Sequence, residues 1–96
     1  MAKGYIYVLI NPSMKGIIKI GKTIRSSEKR AGELSNHTGV ALNFYVAFEE
    51  FVSDCDVAEK IIHLVLQNYR VNPSREFFKI PLKKAIETIS KAASAL

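Results

Sequence analysis

Apolar and polar side chains alternate at the start of the chain and again near its middle. Residues 4–10, 17–21 and 42–48 are rich in β-branched and aromatic residues, and each of these segments is predicted to form a β-strand. Turn-forming residues fill positions 11–16. The first two segments are therefore predicted to pair as an antiparallel hairpin.

Apolar residues at helical spacing predict three helices in the rest of the chain. The first spans residues 28–36. The second has the clearest apolar stripe and follows a capping box formed by Ser53 and Asp56, while the third begins at Pro81. Residues 76–80 are predicted to form a short extended piece. The order β-β-α-β-α-α predicts an α+β fold, in which helices cover one face of a three-stranded antiparallel sheet.

The register of the hairpin decides which polar side chains meet. The pairing that sets Val8 opposite Ile18 also sets Tyr7 opposite Lys19, on the sheet face away from the helices. An ammonium group beside a phenol favours the phenolate, so Lys19 is expected to lower the pKa of Tyr7. The alternative is an ordinary Tyr-Lys packing pair on an exposed sheet face.

Length and composition narrow the class of protein. Residues 1–96 fit a single domain, and 48% hydrophobic residues suffice for one modest core. No apolar run is long enough for a transmembrane helix, and the N-terminus lacks the apolar region of a signal peptide. The single cysteine, Cys55, excludes an internal disulfide and a cysteine zinc site, so a cytoplasmic setting is expected.

The net charge of +5 is concentrated in the second predicted strand and the start of the helix that follows. A basic surface of this kind suits a polyanion such as DNA. Four of these basic residues are candidate nucleic-acid contacts: Lys15, Lys22, Arg25 and Lys29. The alternative is a solvated cationic face without a partner.

Two short motifs in the hairpin resemble those of the GIY-YIG nucleases. Tyr-Ile-Tyr at residues 5–7 and Lys-Ile-Gly at residues 19–21 are similar to the paired motif of a small subgroup of that family. The similarity continues through Arg30, Glu59 and residues 75–78, so it covers most of the chain. The resemblance implies a GIY-YIG-like fold and DNA as the partner.

The same resemblance implies hydrolysis of phosphodiester bonds with one metal ion. Tyr7 is the position that the family uses as the base for water, and Arg30 matches the arginine that stabilises the pentavalent phosphate. Glu59 matches the family's protein ligand for Mg²⁺, with Mn²⁺ as the alternative cation. Lys19 replaces the second tyrosine of the family motif and is expected to tune Tyr7. Arg25 is a nearer but less well-placed rival of Arg30.

One component of the family's site is missing. Many members carry His or Tyr four residues after the helix arginine, and that position is Leu34 in this chain. His63 lies one helical turn after Glu59 and is a candidate replacement, as a proton relay or a phosphate contact. A histidine without a role at the edge of the apolar stripe is the alternative.

Residues 16–23 match the phosphate-loop pattern of nucleotide hydrolases letter for letter. That pattern needs a flexible loop between its two glycines, whereas the four residues here are Ile-Ile-Lys-Ile, a strand composition. No later apolar strand ends in an aspartate, and the chain is far shorter than a doubly wound domain. Nucleotide hydrolysis is therefore set aside.

Two hypotheses follow. The first is a Mg²⁺-dependent DNA endonuclease, whose small size requires a protein partner, a homodimer or the DNA structure itself to supply specificity. The second is a non-catalytic nucleic-acid-binding module on the same fold, which Leu34 and the lost second tyrosine favour. Binding by such a module weakens steeply with salt.

Overall fold

One antiparallel sheet of four strands lies at the centre of the computed structural model, which describes residues 2–36, 42–73 and 75–96. The strand order across the sheet is β3-β1-β2-β4. The strands have these bounds: β1 Gly4–Ile10, β2 Ile17–Thr23, β3 Tyr45–Val52 and β4 Phe77–Lys79. The α+β class is confirmed, but the prediction of three strands is wrong, because the short extended piece pairs with β2 as a full fourth strand.

Three α-helices and one turn of 3₁₀ helix complete the described residues. Their bounds are α1 Ser27–Ser35, α2 Cys55–Val65, the 3₁₀ turn Gln67–Tyr69 and α3 Leu82–Ala95. The cap of α2 differs from the prediction: Asp54, rather than Ser53, accepts a hydrogen bond from the Val57 amide at 3.3 Å. An aspartate at this position also stabilises the positive end of the helix dipole.

Helices cover both faces of the sheet, whereas the sequence predicted one. Ile6 and Val8 of β1 join Ile62 of α2 and Ile89 of α3 in the larger core. On the opposite face, Ala31 of α1 packs in a smaller core with three other buried residues: Tyr7, Leu9 and Phe44. Side chains alternate across a strand, so β1 supplies both cores. The face that carries Tyr7 is therefore not an open surface.

The hairpin register differs from the predicted one by two residues. Val8 pairs with Ile20, Tyr7 with Gly21 and Leu9 with Lys19. A shift of two residues leaves every side chain on the same face, so apolar alternation cannot distinguish the two registers.

A steric requirement explains the observed register. A Cβ atom built on Gly21 lies 2.6 Å from Cζ and 2.9 Å from Cε1 of Tyr7. The Tyr7 ring therefore occupies the space that a side chain at position 21 would fill, and only glycine fits opposite it.

Candidate active site

A cleft of about 390 Å³ lies where β1, β2, α1 and α2 meet the residue that precedes β4. Its walls carry hydroxyl, basic and acidic side chains from these elements: Tyr7, Lys22, Arg25, Arg30, Glu59 and Glu76. The structure thus brings Tyr7, Arg30 and Glu59 to one cleft.

Tyr7 closes the inner wall of the cleft. Its side chain is only 1% exposed, and it lines the cleft together with the Arg30 guanidinium. Burial raises the pKa of Tyr7, and the hydrogen bond from Arg30 offsets part of this effect. The sequence predicted a phenol on an open face with a lowered pKa. Both parts are wrong, because α1 covers this face and because Lys19 pairs with another residue.

Arg30 reaches the cleft from α1, whose first turn is fixed by the Ser26 hydroxyl. Arg30 Nη1 donates to Glu33 Oε1 at 3.3 Å, and Arg25 Nη2 lies 3.0 and 2.8 Å from the two Glu33 oxygens. Hydrogen bonds from Arg25 and Arg30 lower the pKa of Glu33, and the contribution of Arg25 is the larger. One carboxylate therefore holds both arginines at the cleft, and Arg30 is the one that also reaches Tyr7.

Glu59 points from α2 into the cleft as a half-buried carboxyl group. Its Oε2 is buried and has no hydrogen-bond partner among the described residues. Burial, followed by the charge of Glu76, raises the pKa of Glu59 to about 7, while Lys22 acts in the opposite direction. A buried carboxylate oxygen without a donor is costly in free energy. The same oxygen is free to coordinate a cation.

Glu76 is a cleft residue that the sequence reasoning did not assign to the site, although it lies in the family-like stretch 75–78. Lys19, which is 9% exposed, places Nζ 3.1 Å from Glu76 Oε2 and 5.3 Å from the centre of the Phe77 ring. A lysine inside a strand with so little exposure requires an acidic partner. This requirement explains why Lys19 pairs with an acidic residue rather than with Tyr7.

His63 does not line the cleft. Its Nε2 lies 2.9 Å from the Ile20 carbonyl oxygen, and its ring centre is 5.1 Å from that of Phe78. Burial lowers the pKa of His63. The described contacts link α2 to the sheet, so the position of His63 does not support the predicted role in catalysis.

The four predicted nucleic-acid contacts separate into two groups. Lys22 and Arg25 line the cleft, and Lys29 lies on α1 beside it. Lys22 forms an ion pair with Asp56. Lys15 lines a different cavity of about 310 Å³ at the turn between β1 and β2, the opposite end of the hairpin. Lys15 is therefore poorly placed to act with the others.

Residues 4–93, which include all four strands described above, match the T5orf172 domain. The chain belongs to the T5orf172 domain family. This family is nuclease-associated and GIY-YIG-like, so the match supports a nuclease-type fold and suggests a nuclease-like or DNA-binding role. The individual motifs and the metal mechanism stay predictions. Searches of curated proteins and of solved structures found no match to the chain.

The cleft of this T5orf172 domain contains carboxylate side chains, which are oxygen ligands of the kind that Mg²⁺ accepts. No group of three or more His, Cys, Asp and Glu side chains is placed to hold a metal within residues 2–36, 42–73 and 75–96. Mg²⁺ retains most of its waters and is commonly bound through one or two carboxylates together with substrate phosphate. The unpartnered Oε2 of Glu59 fits that requirement.

The described helices include none with both the length and the apolar composition of a membrane span.

Proposed function

We propose that this T5orf172 domain is a Mg²⁺-dependent DNA endonuclease of the GIY-YIG type, with Mn²⁺ as an alternative cation. The observation that carries the proposal is that Tyr7, Arg30 and Glu59 line one cleft on a domain of nuclease-type fold. A base, a cation for the phosphate oxygens and a metal-binding carboxylate are the groups that phosphodiester hydrolysis requires. Residues 1–96 act in this proposal as a single catalytic domain.

Each of the three residues has its own task. In its ionised form, the Tyr7 oxygen takes a proton from the water whose oxygen then attacks the phosphorus atom. Arg30 donates hydrogen bonds to the non-bridging phosphate oxygens and stabilises their added charge. Glu59 holds the cation. When bound, Mg²⁺ would supply positive charge that stabilises the leaving oxygen. The 3′ oxygen takes its proton from solvent, and the products carry 5′-phosphate and 3′-hydroxyl ends.

The pH dependence follows from the ionisation that Tyr7 must undergo. Burial raises the pKa of this phenol, so only a small fraction is ionised at neutral pH. At pH values below the pKa of Tyr7, the ionised fraction grows about tenfold with each unit of increase in pH. The cleavage rate is therefore expected to rise with pH between about 7 and 9 wherever proton removal limits the rate.

Replacing Tyr7 with phenylalanine is expected to lower Mg²⁺-dependent DNA cleavage by about 10²–10⁴-fold, because the base is removed while the buried ring remains. The residual rate should also lose its rise with pH above about 8, where Glu59 is already ionised. The assay measures nicking of supercoiled plasmid and cleavage of branched DNA by wild type and Tyr7→Phe, with Mg²⁺ or with EDTA. Tyr45→Phe is the control, because Tyr45 is 54% exposed on the edge strand β3 and does not line the cleft.

A non-catalytic DNA-binding module on the same fold is the second candidate. The observation that favours it is the burial of Tyr7, which raises the pKa of the phenol and leaves little phenolate at neutral pH to act as the base. This candidate predicts that wild type binds DNA in a gel-shift assay, with an affinity that falls with salt, and cleaves no DNA in the plasmid assay under Mg²⁺ or Mn²⁺. If Tyr7→Phe cleaves DNA at the wild-type rate, Tyr7 is excluded as the base, but the proposal that the domain is a nuclease still holds. Specificity in either case is proposed to come from a protein partner or a homodimer.

A further inference from the structure

The cleft contains a second acidic residue, Glu76, whose position is fixed from two directions. The Ile20 amide donates to the Glu76 carbonyl oxygen at 3.1 Å, which ties the backbone to β2. Lys19 Nζ lies 3.1 Å from Glu76 Oε2 and is nearly shielded from solvent. An ion pair in such surroundings is screened less than a pair on an open surface. The protein alone therefore holds the Glu76 carboxylate in place, before any cation binds.

The side chains of Glu59 and Glu76 line the same cleft, and the charge of Glu76 raises the pKa of Glu59. Two carboxylates that share one cleft repel unless a proton or a cation lies between them. Glu59 also keeps a buried Oε2 for which the described residues provide no donor. The pair thus offers converging oxygen atoms in a place that requires positive charge.

Lys19 explains how two carboxylates can share this half-buried cleft. Its charge balances that of Glu76, so the three groups together carry the same net charge as an ionised Glu59 alone. The cleft gains an additional carboxylate oxygen without gaining net negative charge. The site can therefore offer two carboxylate ligands while these three side chains carry the net charge of only one.

We propose that Glu76 is a second carboxylate ligand of the divalent cation held by Glu59, and that Lys19 is the counter-ion that holds Glu76 in place. This inference rests on the proposed function, since it concerns the same cation. It extends that proposal by giving the cation two protein ligands from separate elements, α2 and the residue before β4. The remaining positions of a six-coordinate cation are left to water and to phosphate oxygens.

Mn²⁺ binding to the full chain, followed by electron paramagnetic resonance without DNA, tests this inference. Glu76→Gln is expected to weaken Mn²⁺ binding by at least about tenfold, as is Glu59→Gln. Glutamine keeps the shape of the side chain, and its amide oxygen can still accept a hydrogen bond from Lys19. Because Lys19 loses its counter-charge, the far-UV circular dichroism of this variant is compared with that of wild type. Glu87→Gln, on the exposed side of α3, is the matched control and should bind Mn²⁺ as wild type does.

The number of waters on the bound Mn²⁺ separates a ligand from a merely structural residue. In ¹⁷O-labelled water, wild type is expected to show about four bound waters, and Glu76→Gln about five, if each carboxylate binds through one oxygen. Glu76→Asp, which keeps the charge but shortens the side chain, should also weaken binding.

The results distinguish the two proposals. Unchanged affinity and water number in Glu76→Gln, together with a loss in Glu59→Gln, would overturn the role of Glu76 and leave the proposed nuclease site intact. If wild type and Glu59→Gln bind Mn²⁺ equally, or if wild type binds none, the metal assignment of the proposed function fails as well.

Discussion

Replacing Glu59 with glutamine is expected to lower Mg²⁺-dependent DNA cleavage by at least about 10²–10³-fold and, at the same time, to stabilise the metal-free protein at pH 8. Cleavage falls because the amide removes the proposed cation ligand. Stability rises because the amide removes a carboxyl group that is difficult to ionise in its half-buried position. A residue retained only for packing would not produce opposite effects on activity and stability.

The sign of the stability effect follows from the pKa of Glu59, which lies at about 7 in the folded protein, above the ordinary value of 4.5. Below pH 4.5 the group is protonated in both the folded and the unfolded chain, so it contributes no difference. As the pH rises towards 7, the unfolded chain loses its proton first and folding becomes less favourable. Partial exposure reduces the full effect, and about 1–2 kcal/mol of stabilisation is expected in Glu59→Gln at pH 8.

Urea denaturation in EDTA at pH 8 and pH 4 measures this difference. Glu59→Gln should have the higher free energy of unfolding at pH 8 and the same value as wild type at pH 4. Glu87→Gln, exposed on α3, serves as the control for a surface glutamate. Destabilisation of Glu59→Gln at pH 8 would mean that the carboxylate is satisfied in the folded protein, contrary to the geometry of its Oε2.

Replacing Gly21 with alanine is expected to destabilise the protein by about 1–3 kcal/mol and to lower cleavage at least about 10²-fold. The added Cβ meets the Tyr7 ring at 2.6 Å from Cζ, and that ring is buried beneath α1. The ring must move away from Gly21, which displaces the hydroxyl from Arg30 and from the cleft. Displacement of a reacting group by about 1 Å is sufficient for a rate loss of this size.

Gly32→Ala is the matched control. Gly32 lies inside α1, and a Cβ atom built there meets no atom within 4 Å. Alanine should therefore stabilise the helix by about 0.5–1 kcal/mol without changing cleavage. Urea denaturation and the plasmid assay measure both variants. Wild-type cleavage by Gly21→Ala would show that the position of the Tyr7 ring does not matter for the reaction.

The strands and helices could be predicted largely from apolar spacing. The pattern gave the bounds of β1 without error, and it located the starts of α2 and α3. It gave β3 a start at residue 42, whereas the strand begins at Tyr45. Residues 77–79 are too few to establish a periodic pattern, so their pairing with β2 could not be derived from the sequence pattern.

The candidate site was predictable where residues match the motifs of the GIY-YIG nucleases. Tyr7, Arg30 and Glu59 were selected through that resemblance, and they line one cleft in the structure. The partner of Lys19 was not predictable from alternation, because registers that differ by two residues give the same faces. Tyr7 was assigned to an open face because nothing in the apolar pattern shows that α1 crosses the sheet on the side opposite α2 and α3.

The crystal structure of this domain with a short DNA duplex, and with Ca²⁺ in place of Mg²⁺ to prevent turnover, would test the central claim most directly. We expect one backbone phosphate to lie in the cleft, in contact with Arg30. We also expect a cation that contacts both Glu59 and this phosphate. The Tyr7 hydroxyl should face a water opposite the 3′ oxygen. DNA bound along the Lys15 end of the hairpin, with neither phosphate nor cation in the cleft, would contradict it.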